Sequence, residues 1–418
     1  MMATEEIPLK HLANVNERSL PDTTDPDREI LYVDIGSVGR GELTDEPKRM
    51  RFGDAPSRAR RLVQEGDTIV STVRTYLRAV WPVTGNIDDI VVSTGFAVLT
   101  PRDIEPRYLS WWAMSDVFVE EIVARSVGVS YPAVNSSELG EIRVRLPSID
   151  EQKAIADYLD IESNRIDALI SKKHRLVELL SEYTDSVVLN GISGRLTSPS
   201  SPVKSSRISW VGDIPKHFRT PWLGAFHTTQ LGKMLNSEAA SGPDQYPYIK
   251  NTNVRWDHFD LDDLPTMTFG ASDRQRCGLR VGDVLICEGG EVGRSAVWSH
   301  DREIFFQKAL HRVRPLEENV PRYLMYCLWA AAKLGVFEVE GNQATIVHLT
   351  GEKLREHRFP WPPLKEQEEI VELIDTVRKR ISQIFMSLHK QIELLYERRQ
   401  ALITATVTGK KPVPVVGV

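Results

Sequence analysis

The chain has 418 residues, 41% hydrophobic and 26% charged, enough for two to four ordinary domains with their own cores. Its 52 lysines and arginines against 58 aspartates and glutamates give a net charge of -6, so any nucleic-acid binding must come from local patches or from partners. Cys277, Cys287 and Cys327 form no CxxC pair, which excludes a disulfide framework and a structural zinc site and leaves buried or semi-buried thiols.

The opening MMATEEIPLKHLANVNERSLPD places two acids before any apolar run and does not read as a signal peptide. The stretch closest to a membrane span, Tyr323 to Ala332, stops at Lys333, well short of the roughly 20 residues that cross a bilayer. The expectation is a cytoplasmic protein with no membrane attachment.

From Ile7 to Val144, short segments such as Ile69-Val70 and Ile90-Val91-Val92 read as strands and Pro106 to Val123 as a helix. Within Pro47 to Arg61, the cations Lys48, Arg49, Arg51, Arg58, Arg60 and Arg61 face one acid, Asp54, giving +5 over fifteen positions. Such a loop can neutralise phosphates, or it can be a solvated face laced with salt bridges. Arg40 and Arg74 join these cations as candidate DNA contacts.

A long helical pattern follows Leu146-Pro147, with Asp150-Glu151 in its first turn and Gly191 as the expected stop. Its heptad seam is Ile155, Leu159, Glu162, Ile166, Leu169, Lys173, Leu176, Leu180, Tyr183 and Val187, eight of ten apolar. The Ser-, Pro- and Gly-rich stretch from Leu189 to Val211 reads as a linker. From Trp210 to Phe359 a second mixed segment carries Val284-Leu285-Ile286 as a strand and Pro321 to Leu334 as a helix. Here Lys250, Asn251, Asn253 and Arg255, with Arg274, Arg276 and Arg294 nearby, are residue types that suit base-edge and phosphate contact, although each is also ordinary at a surface.

A second long helix follows Pro362-Pro363, with Glu366 in its first turn and Gly409 as its stop. Its seam is Ile370, Ile374, Val377, Ile381, Ile384, Leu388, Gln391, Leu395, Arg398, Leu402 and Ala405, nine of eleven apolar. The first ten positions match the first seam at an offset of 215 residues. Leu62 to Val70 likewise matches Gly278 to Ile286, Pro106-Arg107-Tyr108-Leu109 matches Pro321-Arg322-Tyr323-Leu324, and Leu146 to Gln152 matches Trp361 to Gln367. The expectation is an α/β (α+β) fold of two tandem domains separated by two long helices that pair as an antiparallel coiled coil, a pseudo-twofold repeat. A seam alone also fits plain core packing or homodimerisation. The divisions are a first mixed domain (1–147), a first helical region (148–191), a linker (192–209), a second mixed domain (210–362), a second helical region (363–408) and a tail (409–418).

No phosphate loop, HExxH, GxSxG elbow or dinucleotide fingerprint occurs, nor the Asn/Asp-Pro-Pro-aromatic tetrapeptide of an amino-methyltransferase. Pro21-Asp22 and Pro243-Asp244 have no nuclease constellation behind them, and the ten histidines are scattered. The reading is a chain with no catalytic residues and no metal ligands.

With these residues in view, the chain resembles the specificity (S) subunit of type I restriction-modification systems, the HsdS family. The resemblance rests on Asp150-Glu151-Gln152-Lys153-Ala154-Ile155 after Leu146-Pro147, on Pro362-Pro363-Leu364-Lys365-Glu366-Gln367, and on the helix segments Leu176 to Tyr183 and Ile392 to Ile403. Trp210-Val211-Gly212-Asp213-Ile214-Pro215 looks like the opening of a recognition domain. The first domain has no counterpart of that opening. After Gly66-Asp67 it continues Ser71-Thr72-Val73-Arg74 where the second continues Cys287-Glu288-Gly289-Gly290.

The resemblance implies two target-recognition domains that read different halves of a bipartite, asymmetric double-stranded DNA target, with the helix pair as a ruler for the spacer. It implies two methyltransferase (M) subunits carrying S-adenosylmethionine and two restriction (R) subunits using ATP and Mg, with no cofactor in this chain. The alternative is a stand-alone coiled-coil DNA-binding or scaffold protein. A fused methyltransferase or nuclease is disfavoured by the missing motifs.

Overall fold

The computed structural model describes residues 5–85, 88–128, 132–338 and 348–413, so the first four residues of the first domain and the last five of the tail lie outside it. Unit 1 comprises Met1–His174 with Leu388–Val418, and unit 2 comprises Arg175–Ser387. The expected helical regions are therefore not separate bodies, because each long helix gives one half to each unit.

Unit 1 carries β1 (Glu5–Pro8), β2 (Ala13–Val15), β3 (Glu29–Val33), β4 (Lys48–Arg51), β5 (Ala59–Leu62), β6 (Thr68–Ser71), β7 (Val80–Pro82), β8 (Ile90–Ser93), β9 (Phe96–Pro101) and β10 (Arg143–Leu146). They form sheets in the orders β2-β9-β6-β7 and β4-β3-β8-β5, with β1 paired to β10. β6 and β8 are buried at every position, which is why they appear in the sequence as unbroken apolar runs rather than alternating ones. The helix expected over 106–123 is two helices, α1 (Pro106–Ala113) and α2 (Asp116–Arg125). The buried Ser115 hydroxyl accepts from the Phe118 amide at 3.4 Å and starts the second. A short α3 (Ser136–Gly140) and the long α4 (Ile149–Ile192) follow.

Unit 2 carries β11 (Val203–Ser205), β12 (Asp213–Pro215), β13 (His227–Leu231), α5 (Ser237–Ser241), β14 (Gln245–Ile249), β15 (Val254–Arg255), β16 (His258–Phe259), β17 (Thr266–Thr268), α6 (Ala271–Cys277), β18 (Val284–Cys287), β19 (Ser295–Val297), β20 (Phe305–Phe306), β21 (Leu310–Pro315), α7 (Pro321–Lys333), α8 (Gly351–Glu356) and α9 (Leu364–Val407). The order β13-β21-β18-β19 repeats β2-β9-β6-β7 strand for strand. The stretch read as a linker holds real structure: β11 pairs with β12, and the Thr197 and Ser198 hydroxyls donate to Glu366 at 3.1 and 2.7 Å. All three cysteines are buried thiols. Among the described residues no helix is long and apolar enough to cross a membrane.

Each long helix has 44 residues, about 66 Å at 1.5 Å per residue. In unit 1, Ile155 and Leu159 of α4 share a core with Ile403 and Val407 of α9, while Ile166 and Ile170 cluster with Ile392 and Leu395, so the two halves run antiparallel. In unit 2, Val187, Val188 and Ile192 share a core with Ile370, Val371 and Ile374; Gly191 faces Ile370 and Ile374 while Thr197 and Ser198 farther along reach Glu366, so the chain again runs in opposite directions.

Four expected apolar seam positions are corrected: Leu169, Leu176, Tyr183 and Ile384 are 47%, 42%, 56% and 43% exposed. A straight helix drifts by roughly 20° per heptad, whereas an 11-residue step keeps its face. The seam accordingly runs from Ile155 to Ile166 and from Leu159 to Ile170, with Ile170 taking the place expected for Leu169 and Ile392 buried beside Leu388. Ile370, Ile374 and Ile381 are buried as expected, and Leu180, Val377, Leu395 and Leu402 are half-buried. Gly191 is also corrected, because it is helical, and a Cβ there would lie 3.0 Å from Ile374 Cδ1. The left-handed residues that end the helices are Gly194 and Gly409, at φ 75° and 76°.

The repeat extends to individual hydrogen bonds. Gln152 accepts from the Glu105 amide at 2.8 Å and donates to the Pro147 carbonyl at 2.9 Å, and Gln367 does the same with Val320 at 3.1 Å and Pro362 at 3.0 Å. The Tyr108 hydroxyl donates to the Arg145 carbonyl at 2.7 Å, with the Val407 carbonyl 3.4 Å away. The Tyr323 hydroxyl donates to the Pro360 carbonyl at 2.9 Å, with the Ile192 carbonyl 3.3 Å away. Each tyrosine thus ties the strand end before one long helix to the last turn of the other. Burial raises both phenol pKa values. Tyr323→Phe leaves these carbonyls buried without a donor and is expected to cost about 1–2 kcal/mol in urea unfolding of the full chain. An unchanged midpoint would remove this anchor from the account.

A further pair of equivalent groups secures α1 and α7. Arg107 and the Trp111 indole hold Asp160 of α4, at 2.7 and 2.8 Å. Arg322 holds Asp375 of α9 at 2.7 Å, and the Tyr326 hydroxyl also donates to it.

Candidate nucleic-acid interface

In unit 1, β4 is an edge strand of its sheet, open on both faces, so Lys48 on one face and Arg49 and Arg51 on the other all reach solvent. Sequence counting set these cations against Asp54 alone, but the fold supplies more acids. Arg49 meets Glu29 at 2.8 Å, because the β3–β4 register sets the strands antiparallel. Arg51 meets Asp27 at 3.4 Å and Asp54 at 3.3 Å, Arg58 meets Asp34 at 3.1 Å, and Arg60 meets Asp22 at 3.3 Å. The Tyr32 hydroxyl, followed by Asp34, raises the Arg58 pKa.

Arg49, Arg51 and Arg58 are more than half exposed, and exposed pairs of this kind contribute only about 0–1 kcal/mol, so a phosphate can displace the carboxylates. Arg60 instead lies over the Phe52 ring, 4.7 Å from its centroid. Arg61 is turned inward: burial lowers its pKa, and its Nε has no hydrogen-bond partner among the described residues. Arg74 adopts a left-handed conformation, φ 53°, at the start of the 3-10 turn Thr75–Leu77. That turn exposes Tyr76 and Leu77 by 54% and 50%, an aromatic and apolar pair suited to base contact that sequence reasoning passed over. Arg40 lines a cleft against α1, α4 and α9.

In unit 2 the amides face inward. Asn253 is buried, accepts from the Lys250 amide at 3.1 Å and donates to the Asp260 carbonyl at 3.0 Å, so it closes its own turn. Asn251 donates to the Gly289 carbonyl at 2.9 Å and accepts from Arg294 at 3.0 Å, which fixes the loop after β18. Arg274 is held by the Tyr246 hydroxyl and the Phe269 carbonyl, both at 3.1 Å. The exposed cations are Arg255, 4.0 Å from Asp260, and Arg276, 3.0 Å from Asp273, with Lys250 half-buried. Four of the seven residues singled out here, Asn251, Asn253, Arg274 and Arg294, are thus committed to internal bonds, a distinction that residue type cannot reveal.

The best-formed electrostatic cluster was missed. Asp257, left-handed at φ 68° between β15 and β16, receives Arg322 Nη2 at 2.7 Å and Arg378 Nη1 at 2.6 Å. Arg378 also donates to the Tyr326 hydroxyl at 2.9 Å and lies 4.6 Å from the Trp329 ring centroid. The sequence signal was the repeated Pro-Arg-Tyr-Leu, which marked Arg107 and Arg322 as equivalent without showing what either held.

The profile described as "Type I restriction modification DNA specificity domain" matches residues 56–179 and 223–394, one match in each half. Among curated proteins, the EcoKI specificity subunit of Escherichia coli strain K12 is 22% identical over 303 residues, 68% of this chain and 63% of that subunit. The StySPI specificity subunit of Salmonella potsdam is 25% identical over the same shares. These matches take in less than two thirds of either relative. Of solved structures, one described as the structural basis of complex assembly and conformational transition of the type I R-M system superposes with a TM-score of 0.70 at 23% identity, covering 96% of this chain and 97% of that one. The HsdS subunit from Thermoanaerobacter tengcongensis gives 0.55 at 22% identity, covering 97% of both. The fold is theirs.

Proposed function

Because the chain belongs to the type I restriction modification DNA specificity domain family, we propose that it is the specificity subunit of a type I restriction-modification complex. In this reading it is non-catalytic and selects a bipartite, asymmetric double-stranded DNA target, one half through each unit. It scaffolds two methyltransferase subunits, which hold S-adenosylmethionine, and two restriction subunits, which use ATP and Mg. The long helices set the unread spacer.

One observation carries the reading. The anchoring bonds of Gln152, Tyr108 and Arg107 recur at Gln367, Tyr323 and Arg322, while the loops after β6 and β18 share no chemistry. A fixed frame with two different loops is what two different half-sites require.

The DNA contacts proposed are the exposed cations of each unit: Lys48, Arg49, Arg51 and Arg58 in unit 1, and Lys250, Arg255 and Arg276 in unit 2. Each phosphate contact contributes about 0.9 to the slope of log affinity against log salt. Replacing Lys48, Arg49 and Arg51 together by alanine is expected to lower that slope by about 2–3 in the assembled complex, leaving subunit assembly intact. An unchanged slope would remove β4 from the interface.

A further inference from the structure

We infer that the cleft of unit 1 formed by α1, α4 and α9 binds an acidic side chain presented on a turn of a partner polypeptide, in the place that Asp257 fills in unit 2. The inference is independent of which DNA the chain reads. The cleft has a volume of about 650 Å³, and its walls include Arg40, Trp111, Ser163, Asp167, Tyr396 and Arg399.

The internal repeat identifies what is missing from it. Gly41 donates its amide to the Val80 carbonyl at 2.7 Å, at the start of β7. Asp257 donates its amide to the Ser295 carbonyl at 3.0 Å, at the start of β19. Both are left-handed, φ 95° and 68°, and β7 pairs with β6 as β19 pairs with β18. Gly41 is therefore the counterpart of Asp257 without its carboxylate. On the helices, Ser163 stands at the position equivalent to Arg378, as Asp160 does to Asp375 and Trp111 to Tyr326. Unit 2 fills this region with the Asp257–Arg378 ion pair, whereas unit 1 has a glycine, with the Met114 thioether packed close against it, and a serine, and the cleft opens beside them.

The groups bordering that space are poised for a ligand. Ser163 is 2% exposed, yet its hydroxyl has no hydrogen-bond partner among the described residues. Arg399 is ion-paired with Asp167, whose Oδ1 lies 3.3 Å from its Nε, but that Nε makes no aligned hydrogen bond among the described residues, so an arriving carboxylate would compete with Asp167 for it. Arg40 shares a small recess with Arg78 and Arg399 and makes no ion pair among the described residues, whereas Arg78 is paired with Asp116. Burial, and then the Arg78 charge, lower the Arg40 pKa, a crowding that an arriving carboxylate relieves. The occupant is argued from the chain itself. Its own solution to this site in unit 2 is an aspartate on a two-strand turn, so a carboxylate on a polypeptide turn is the chemistry that fits.

The test titrates the full chain by calorimetry with a blocked peptide of residues 254–259, Val-Arg-Trp-Asp-His-Phe, and with its Asp257→Asn version. The Asp peptide is expected to bind saturably and the Asn peptide at least about tenfold more weakly, the loss of one charge-assisted contact. Arg399→Ala should weaken the Asp peptide by about tenfold, and Gly41→Asp should abolish binding by supplying the carboxylate in cis. Ser163→Arg, which rebuilds the Arg378 position, should also block the site and covers the case in which the left-handed Gly41 tolerates no side chain. No binding up to about 1 mM, equal binding of the two peptides, or binding that survives Ser163→Arg would overturn the inference. So would displacement by inorganic phosphate at equal concentration, which would mark a general oxyanion site.

Discussion

Asp257→Ala is expected to lower the unfolding free energy of the full chain by about 3 kcal/mol. The carboxylate is the shared acceptor of two guanidinium groups, with Arg322 on one side and Arg378 on the other, and its side chain is only 15% exposed. Removing one partner of such a cluster strands the others, at a typical cost of about 3–5 kcal/mol. The lower end applies because Arg322 keeps Asp375 at 2.7 Å and is a third exposed, so water screens part of the loss. The account also predicts a partial rescue. Adding Arg378→Met removes the stranded cation and leaves an apolar chain over Trp329, so the double variant should be more stable than Asp257→Ala alone. A loss below about 1 kcal/mol for the single change would mean that the cluster is already solvated.

The second large effect is on pH dependence. His227 of β13 is 3% exposed, edge-on to the Trp361 ring at 5.5 Å, and its Nε2 lies 3.0 Å from the Asn319 amide nitrogen. With Asn319 donating, the neutral ring carries its proton on Nδ1, which is buried. Burial pushes the His227 pKa from 6.5 down to about 4, only partly opposed by the Leu223 backbone. The folded state therefore refuses a proton that the unfolded chain accepts below about pH 6.5. The stability this represents is fully present above pH 6.5 and is lost as the pH falls toward 4, by about 3 kcal/mol in all and about 2 kcal/mol by pH 5. His311, also lowered mainly by burial, acts in the same direction. Urea midpoints of the wild type and His227→Gln at pH 7 and pH 5 check this. The variant should lose about 2 kcal/mol less over that interval, and parallel acid limbs would show that His227 is hydrated in the folded state.

The architecture was legible because its signals are local and doubled. Proline and acidic residues begin both helices, and the 215-residue offset aligns Leu146 to Gln152 with Trp361 to Gln367. What failed did so for physical reasons. A strict heptad template placed Leu169 and Ile384 in the seam, whereas a straight helix follows 11-residue steps over this length and turns them outward. Gly191 looked like a stop because glycine serves both to end a helix and to let another helix approach closely, and sequence does not say which.

The candidate interface was less legible because charge is a property of folded neighbourhoods. The excess counted from Pro47 to Arg61 dissolves once Glu29, Asp27, Asp34 and Asp22 arrive from an earlier strand and loops. Asn253 and Arg294 looked like base readers by type, yet they hold loops by position. The Asp257 cluster joins three segments of the chain, so no local motif announces it.

The most direct test of the central claim is to co-express the chain with a type I methyltransferase subunit from the same genome and map adenine methylation across the host DNA. The account predicts one bipartite, asymmetric motif that disappears when the chain is omitted, and a motif altered in one half when the loops of one unit are exchanged. Methylation at the same sites without the chain, or no complex with the methyltransferase, would contradict it and favour a stand-alone DNA-binding protein.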